Sequence, residues 1–315
     1  MIDMQRTLTI PYMYTNEMHG APRGPPVGQI KAVGGHIMYD RFAALKQIDD
    51  WLAEDIGCFD LSAQLMIDPA ATATFYMNAR EPMTLAGVEV AAAVFKRYEP
   101  SCVVDLRVKD GDTVQKGAVL MVVSGPAQAL LTTERTALNI AQRLSGIATE
   151  TAKYANAIAH TKARLLDTRK TTPGLRMLEK HAAFCGGALN HRLGLDDGVM
   201  LKDNHIAVCG SITEAVRRAR RSVPVLTKIE VECDRLEQVR EALEAGADVI
   251  MLDNMAIPAM RDAVQMVAGK ALLEASGGIR LDTIAAIAET GVDFVSTSRP
   301  LQSAPAVDIG LDETA

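Results

Sequence analysis

Between Asp167 and His205 the chain concentrates side chains able to carry positive charge: Arg169, Lys170, Arg176, Lys180, His181, His191, Arg192, Lys202 and His205. Arg169 and Lys170 are adjacent, just after the apolar Leu165 and Leu166 and just before the Pro173-Gly174 turn. Two neighbouring cations at a strand end are costly to hold together without an anion. Arginine forks match planar carboxylates, and lysines act as point charges for phosphates. Arg169, Lys170 and Lys202 fall at predicted strand ends, and Asn190-His191-Arg192 follows a flexible Cys-Gly-Gly stretch, so these positions read as a site. Arg176, Lys180 and His181 fall on a predicted helix and read as solvated surface.

The complementary acids come later in the chain. Side chains alternate along a strand. In "TKIEVE", Ile229 and Val231 share one face while Lys228, Glu230 and Glu232 share the other. In "VIMLDN", Ile250 and Leu252 turn outward and leave Asp253 inward. In "LLEASGG", Leu273 and Ala275 turn outward and leave Glu274 and Ser276 inward. Three successive strands thus carry charge or hydroxyls toward one interior. Ser276-Gly277-Gly278 resembles a phosphate loop, whose backbone N–H groups cradle phosphate oxygens.

The elements that must position these groups follow a rhythm. Strand-like "VLTKIEVE", "DVIMLDN", "LLEASGG" and "DFVSTS" alternate with helical segments, each helix closed by glycine. With Leu165–Asp167 and "GVMLKDN", at least six βα strands are visible, which implies right-handed crossovers and a parallel α/β barrel, incomplete or closed. Its active site is expected at the carboxyl ends of the strands. Before it, a helix is predicted from Arg41 with apolar Phe42, Leu45, Ile48 and Leu52, ending at Gly57. A strand at "ATATFYMNA", a helix at "VEVAAAVFKRY" and short strands in "VVDLRVKDGDTVQKGAVLMVVSG" follow. The last stretch resembles half of a biotinyl or lipoyl carrier but lacks the modifiable lysine between methionines. A long helix or helix pair spans 126–159, with Ala137, Leu138, Ala141, Leu144 and Ala148 on one face and Arg135, Asn139, Gln142 and Arg143 on a polar one. The expected organisation is an irregular arm over 1–38, a small α/β domain over 39–146 joined by 300–315, and a barrel over 147–299.

Composition narrows the class. A net charge of −6 argues against a general binder of nucleic acid or acidic membranes, so any anion site must be a local concentration of cations. The five cysteines form no Cys-x-x-Cys pair, which suits a cytoplasmic protein and speaks against a zinc site or a disulfide framework. Neither an export signal nor a membrane span is read.

The block "LLDTRKTTPGLRMLEKHAAFCGGALNHRLGLDDGVMLKDNHI", with "LTTERTALNIAQRLSGIAT", "IEVE", "VIMLDNM", "LEASGGI" and "QSAPAVDIGLD" in order, resembles the quinolinate phosphoribosyltransferase family (nicotinate-nucleotide pyrophosphorylase, carboxylating). The resemblance implies a homodimeric transferase of NAD biosynthesis. It would make nicotinate mononucleotide, carbon dioxide and pyrophosphate from quinolinate and phosphoribosyl pyrophosphate, with Mg²⁺. It implies that Arg169, His191, Arg192 and Lys202 line the quinolinate pocket and that Arg135 arrives from the other subunit. Lys170, Glu232 and Asp253 would serve the phosphoribosyl pyrophosphate, the two acids also holding the metal directly or through water. Ser276, Gly277, Gly278 and Ser298 would hold the 5′-phosphate. Three departures from the family pattern stand out: Cys58-Phe59 before Asp60, Ala188 in place of a glycine, and Ser298-Arg299 where a glycine turn is usual. The alternatives are a paralogue of the same fold acting on another acid, or a non-catalytic phosphate-binding or carrier-like module.

Overall fold

The computed structural model describes residues 39–314, so the arm expected over 1–38 lies outside the described residues. Asp40 caps the first helix, α1 (Arg41–Ile56), by accepting the Phe42 N–H, and Gly57 ends it at a positive φ of 61° that favours glycine. The apolar spacing differs from expectation in its first half: Ile48 and Leu52 are buried with Ala44, whereas Phe42 is 82% and Leu45 41% exposed. The N-terminal unit continues through α2 (Leu61–Met66), β1 (Thr72–Ala79), β2 (Met83–Thr84), α3 (Val88–Tyr98), β3 (Val103–Leu106), β4 (Thr113–Val114) and β5 (Val119–Pro126). The segment resembling a carrier is absorbed into this unit: β5 pairs antiparallel with β1 on one side and β3 on the other, and β4 pairs with β2.

One long helix, α4 (Ala127–Ala157), connects the two halves. Its expected apolar face is buried throughout. Small residues and hydroxyls on that face let the β2 region approach: Ser145 Oγ takes the Ala86 N–H at 3.1 Å and Thr149 Oγ1 takes the Thr84 N–H at 2.9 Å. The expected polar face is only half right. Arg135 and Asn139 are exposed, but Gln142 donates to the Ile309 carbonyl and Arg143 reaches inward to buried Glu179. These two side chains dock the C-terminal segment and the next helix onto α4.

The barrel strands and helices then run in order: β6 (Arg164–Leu166), α5 (Arg176–Cys185), β7 (Val199–Leu201), α6 (Asp203–Cys209), α7 (Ile212–Ser222), β8 (Ile229–Cys233), α8 (Leu236–Glu244), β9 (Val249–Asp253), α9 (Ile257–Val267), β10 (Leu272–Ser276), α10 (Ile284–Ala288), β11 (Phe294–Ser296) and α11 (Arg299–Ser303). The sheet order β6-β11-β10-β9-β8-β7 is parallel wherever the strands pair, and the last strand returns to the first. The barrel is therefore incomplete, with its seam between β6 and β7. Residue Leu189 bridges the seam on one side, its N–H donating to the Leu165 carbonyl at 2.8 Å. That places Asn190-His191-Arg192 inside the rim. The final strand, β12 (Ile309–Asp312), leaves the barrel and pairs antiparallel with β1, so the chain's end lies in the N-terminal sheet.

Candidate active site

Strand register carries the acids to one place. Glu232 faces Met251 across β8 and β9, and Asp253 faces Ser276 across β9 and β10. Asp167, Arg169, Lys170, His191, Arg192, Met200, Lys202, Glu232, Met251, Asp253, Glu274, Ser276, Gly277, Gly278, Ser298 and Arg299 all line one cavity of about 650 Å³ at the carboxyl ends of the strands. Every residue expected from sequence to form the site is among them except Arg135, which is exposed on α4.

One wall is cationic. Arg192 donates to the Gly198 carbonyl at 3.1 Å, and its guanidinium is lowered from its ordinary pKa, first by burial and then by neighbouring Arg169. Arg169 Nε is buried without a hydrogen-bond partner. Two guanidiniums thus stand close enough to repel each other, with one donor unsatisfied. A buried donor left in this state costs about 1–3 kcal/mol, which an anion would recover. Lys202 Nζ pairs with Glu232, so that carboxylate and that ammonium enter the site as a unit.

The opposite wall is neutral. After Ser276 the backbone passes through two consecutive left-handed glycines, Gly277 and Gly278. A Cβ on Gly277 would lie 2.2 Å from Asn254 Oδ1, so only glycine fits there. Asn254 is itself left-handed, at φ 55°, and donates to Asp253 at 2.8 Å, which fixes that carboxylate at the rim. The N–H groups of Gly277 and Gly278 donate to no acceptor among the described residues. Thr297 Oγ1 donates to the Ile279 carbonyl at 3.1 Å, and Ser296 donates to Ser276, also at 3.1 Å. The glycine loop and the turn after β11 are thereby joined into one surface.

Below the mouth lies a layer of buried charge. Here the surface assignment of Lys180 and His181 is corrected: Lys180 is 0% exposed and His181 is buried. Helix α5 is covered on nearly all sides, because its small alanines let α4 and the β6 seam approach. Lys180 Nζ bonds Asp167 and also donates to the His191 carbonyl at 3.2 Å. Asp167 further accepts from Asn190 at 2.6 Å and from the His191 N–H at 2.8 Å. Burial raises the Asp167 carboxyl and lowers the Lys180 ammonium, so both partners report the same desolvation cost. The pair serves to pin the Asn190-His191 backbone rather than to stabilise the fold outright. His181 sits across the domain boundary, its Nε2 2.8 Å from Asp110. Arg176, the third member of that group, is half-buried and donates to Thr171 at 3.2 Å.

His191 lines the mouth, but its Nε2 lies between Glu230 at 3.0 Å and Glu274 at 3.4 Å. Burial disfavours the charged ring, yet the hydrogen bonds to the two glutamates outweigh it and raise His191 to about 10. Its Nδ1 lies 2.8 Å from the Arg192 backbone nitrogen, which holds the ring with Nε2 toward the two glutamates. Glu230 is raised as well, first by burial, and neighbouring Glu274 adds to it. Strand parity exposes both acids as inward-facing, although it does not reveal that they hold a histidine.

Glu179, on the same helix as Lys180 and for which sequence offers no site reading, is also buried. It accepts the Thr172 N–H at 2.9 Å, the Thr172 hydroxyl at 2.8 Å and Arg143 at 2.9 Å, while Arg143 also donates to the Leu301 carbonyl at 2.8 Å. This pair holds the loop bearing Arg169-Lys170 and the segment behind Ser298-Arg299 to the same helix.

An α/β barrel with cations, paired acids and a glycine loop converging at its strand ends is the scaffold of an enzyme acting on small, multiply anionic, phosphorylated substrates. Residues 60–145 match the family model for the N-terminal domain of quinolinate phosphoribosyl transferase, and residues 147–312 match that for its C-terminal domain. The chain belongs to the quinolinate phosphoribosyl transferase family. It is 46% identical over 268 residues to a protein of Synechocystis named probable nicotinate-nucleotide pyrophosphorylase [carboxylating], covering 84% of this chain and 90% of that one. The corresponding protein of Mycobacterium leprae is 42% identical, covering 86% and 97%. Among solved structures, the nicotinate-nucleotide pyrophosphorylase of Francisella tularensis superposes with a TM-score of 0.85 at 37% identity, covering 88% and 98%.

Proposed function

We propose that the mouth of this barrel binds quinolinate against its cationic wall and phosphoribosyl pyrophosphate across to its glycine wall. The chain is a pentosyltransferase of NAD biosynthesis that joins the two with loss of one carboxylate as carbon dioxide. The observation that carries the substrate is the Arg169–Arg192 pair, two crowded guanidiniums with a buried donor unsatisfied. A pyridine dicarboxylate supplies two planar anions to such a pair, and Lys170 beside it meets the pyrophosphate.

The reaction follows from this placement. The ring nitrogen forms a bond to C1 of the ribose as the C1–O bond breaks, its electron pair leaving with pyrophosphate. Glu232 and Asp253 stand where positive charge develops on the sugar and stabilise it electrostatically. The carboxylate next to the new pyridinium then departs as carbon dioxide. Its electron pair stays on the ring carbon, steadied by the adjacent positive nitrogen, and a proton completes nicotinate mononucleotide. Much of the protein's contribution is positioning. Glu232 and Asp253 are hard oxygen donors on neighbouring strands, a set that suits Mg²⁺ completed by substrate phosphates. Bound there, Mg²⁺ would neutralise charge on the departing pyrophosphate.

Equal concentrations of quinolinate and nicotinate, each with phosphoribosyl pyrophosphate, test the substrate in a mass-resolved assay. Quinolinate is expected to react and nicotinate not, since nicotinate leaves cations unpaired at a cost of about 2–5 kcal/mol. Equal turnover of both acids would sink the assignment.

The same enzyme is proposed to work in the cytoplasm as a homodimer with shared sites. The described cysteines are all free, and no described helix is long and apolar enough to cross a membrane. Exposed Leu61, Leu65 and Met66 of α2, with Phe59 just before it, form an apolar patch on a helix tied to α4 through Asp60 and Thr132, one turn before Arg135. An apolar patch of this kind marks an interface, and an isologous one would bring Arg135 to the partner's barrel twice. Mixing inactive Arg135→Ala with inactive Lys170→Ala protein, with subunit exchange verified by native mass spectrometry, checks this. Heterodimers with shared sites carry one doubly damaged and one intact site, so they recover up to about half of wild-type activity. No recovery would place Arg135 in its own subunit's site or outside any site.

A further inference from the structure

The neutral wall lacks something its ligand requires. The residues contributed to it by the β10 and β11 ends are Ser276, Gly277, Gly278, Ile279, Ser296, Thr297 and Ser298, all uncharged. Hydroxyls and backbone N–H groups can orient a phosphate, but they leave its charge unbalanced, and Asp253 and Glu274 share the same cavity. Arg299 is the cation that lines the mouth on this side. It follows Ser298 directly, and its N–H donates to Thr297 Oγ1 at 3.3 Å, the same hydroxyl that is tied to Ile279. Its backbone is thus fixed to the end of the glycine loop. The adjoining depression holds Glu150 and Asp282 as rival partners, but Glu150 is paired with Lys153 at 2.6 Å and Asp282 with Arg280 at 3.0 Å. Arg299 makes no ion pair of 4 Å or less with a described carboxylate.

We infer that Arg299 is a phosphate-binding residue of this chain, closing on the 5′-phosphate of phosphoribosyl pyrophosphate from the β11 side while Gly277 and Gly278 donate from the β10 side. The assignment rests on the substrate proposed above and concerns only how its phosphate end is held. An exposed guanidinium at the rim adds charge without blocking entry, and its fork spans two phosphate oxygens where a lysine meets one. Ser298 is occupied otherwise, its hydroxyl donating to Gln302 at 2.6 Å, so the turn's charge recognition falls to Arg299.

The test compares wild type, Arg299→Ala and Arg299→Lys by steady-state kinetics and by equilibrium binding of ribose 5-phosphate and inorganic phosphate. Arg299→Ala is expected to raise KM for phosphoribosyl pyrophosphate about tenfold. Its KM for quinolinate should stay within about twofold, because the cationic wall is untouched. Affinity for ribose 5-phosphate and inhibition by inorganic phosphate should weaken in parallel, and Arg299→Lys should recover part of each. High salt should shrink the difference between wild type and Arg299→Ala. If the wild type is active and Arg299→Ala keeps its KM for phosphoribosyl pyrophosphate and its phosphate affinity, the inference is overturned. It is equally overturned if the KM values of both substrates rise together. A wild type that never consumes phosphoribosyl pyrophosphate, yet loses phosphate binding on Arg299→Ala, would instead remove the substrate assignment and keep the phosphate site.

Discussion

Lys180 and Lys170 belong to the same short stretch of chain and have opposite fates. Lys180 is sealed beneath the mouth with Asp167 and the His191 carbonyl as partners, whereas Lys170 stands exposed at the rim. Arg169, between Lys170 and the buried Asp167, keeps one donor unsatisfied. The lower layer is electrostatically closed, each cation meeting a carboxylate within the protein. The upper one is left open on its cationic side. Closed charge fixes geometry, and open charge binds. Desolvating Lys180 and Asp167 is unfavourable taken alone, but together they hold Asn190 and His191, and hence Arg192, against a barrel seam that no strand pairing closes.

The largest expected effect comes from breaking the closed layer. Lys180→Met leaves Asp167 buried and uncompensated, and should lower unfolding free energy by about 3–5 kcal/mol in a denaturant titration. A loss below about 1 kcal/mol would show that Asp167 finds other partners and that the layer is not closed as described. The open layer should respond differently, in function with the fold kept. Asp253→Ala should lower kcat about a hundredfold, while Arg169→Ala should chiefly weaken quinolinate binding, about tenfold or more. Both variants should unfold within about 1 kcal/mol of wild type. Unchanged quinolinate affinity for Arg169→Ala in a direct titration would remove that arginine from the carboxylate site.

The smallest effect concerns pH and sharpens the distinction. The His191 ring is raised above its unfolded value, so its contribution to stability is fully present below about 6.5 and lost as pH rises through about 10. Glu230, also raised, acts with the same sign, because the folded state holds its proton more tightly. Wild-type stability should therefore fall between pH 7 and 10, and His191→Gln should flatten that slope. An unchanged slope would mean that the trio is not the proton store described here.

Much of the mouth is legible in the chain alone. Strand alternation is a local property, so the inward acids Glu232 and Asp253, the inward Ser276 and the glycine pair after it can be read from a few residues each. The Arg169-Lys170 doublet announces an anion because no local structure accounts for two adjacent cations. The rhythm of strand and helix likewise implies a parallel sheet of six strands. What periodicity cannot supply is the environment on the far side of each element. A helical residue's position states which way it points, but only the packing of other elements decides whether water lies there. Lys180, His181 and Glu179 are buried because α4 and the barrel seam cover α5 almost all round, and Arg143 is a clamp because the chain returns beside it at Leu301 and Ala304. The seam between β6 and β7, the glutamates around His191 and the arrival of Arg299 at the glycine wall join residues far apart in sequence. The chemistry of each residue is thus set by its type and local period. Its role is set by the partners that long-range packing delivers, because charge buried or left open depends on those partners and not on the chain's neighbours.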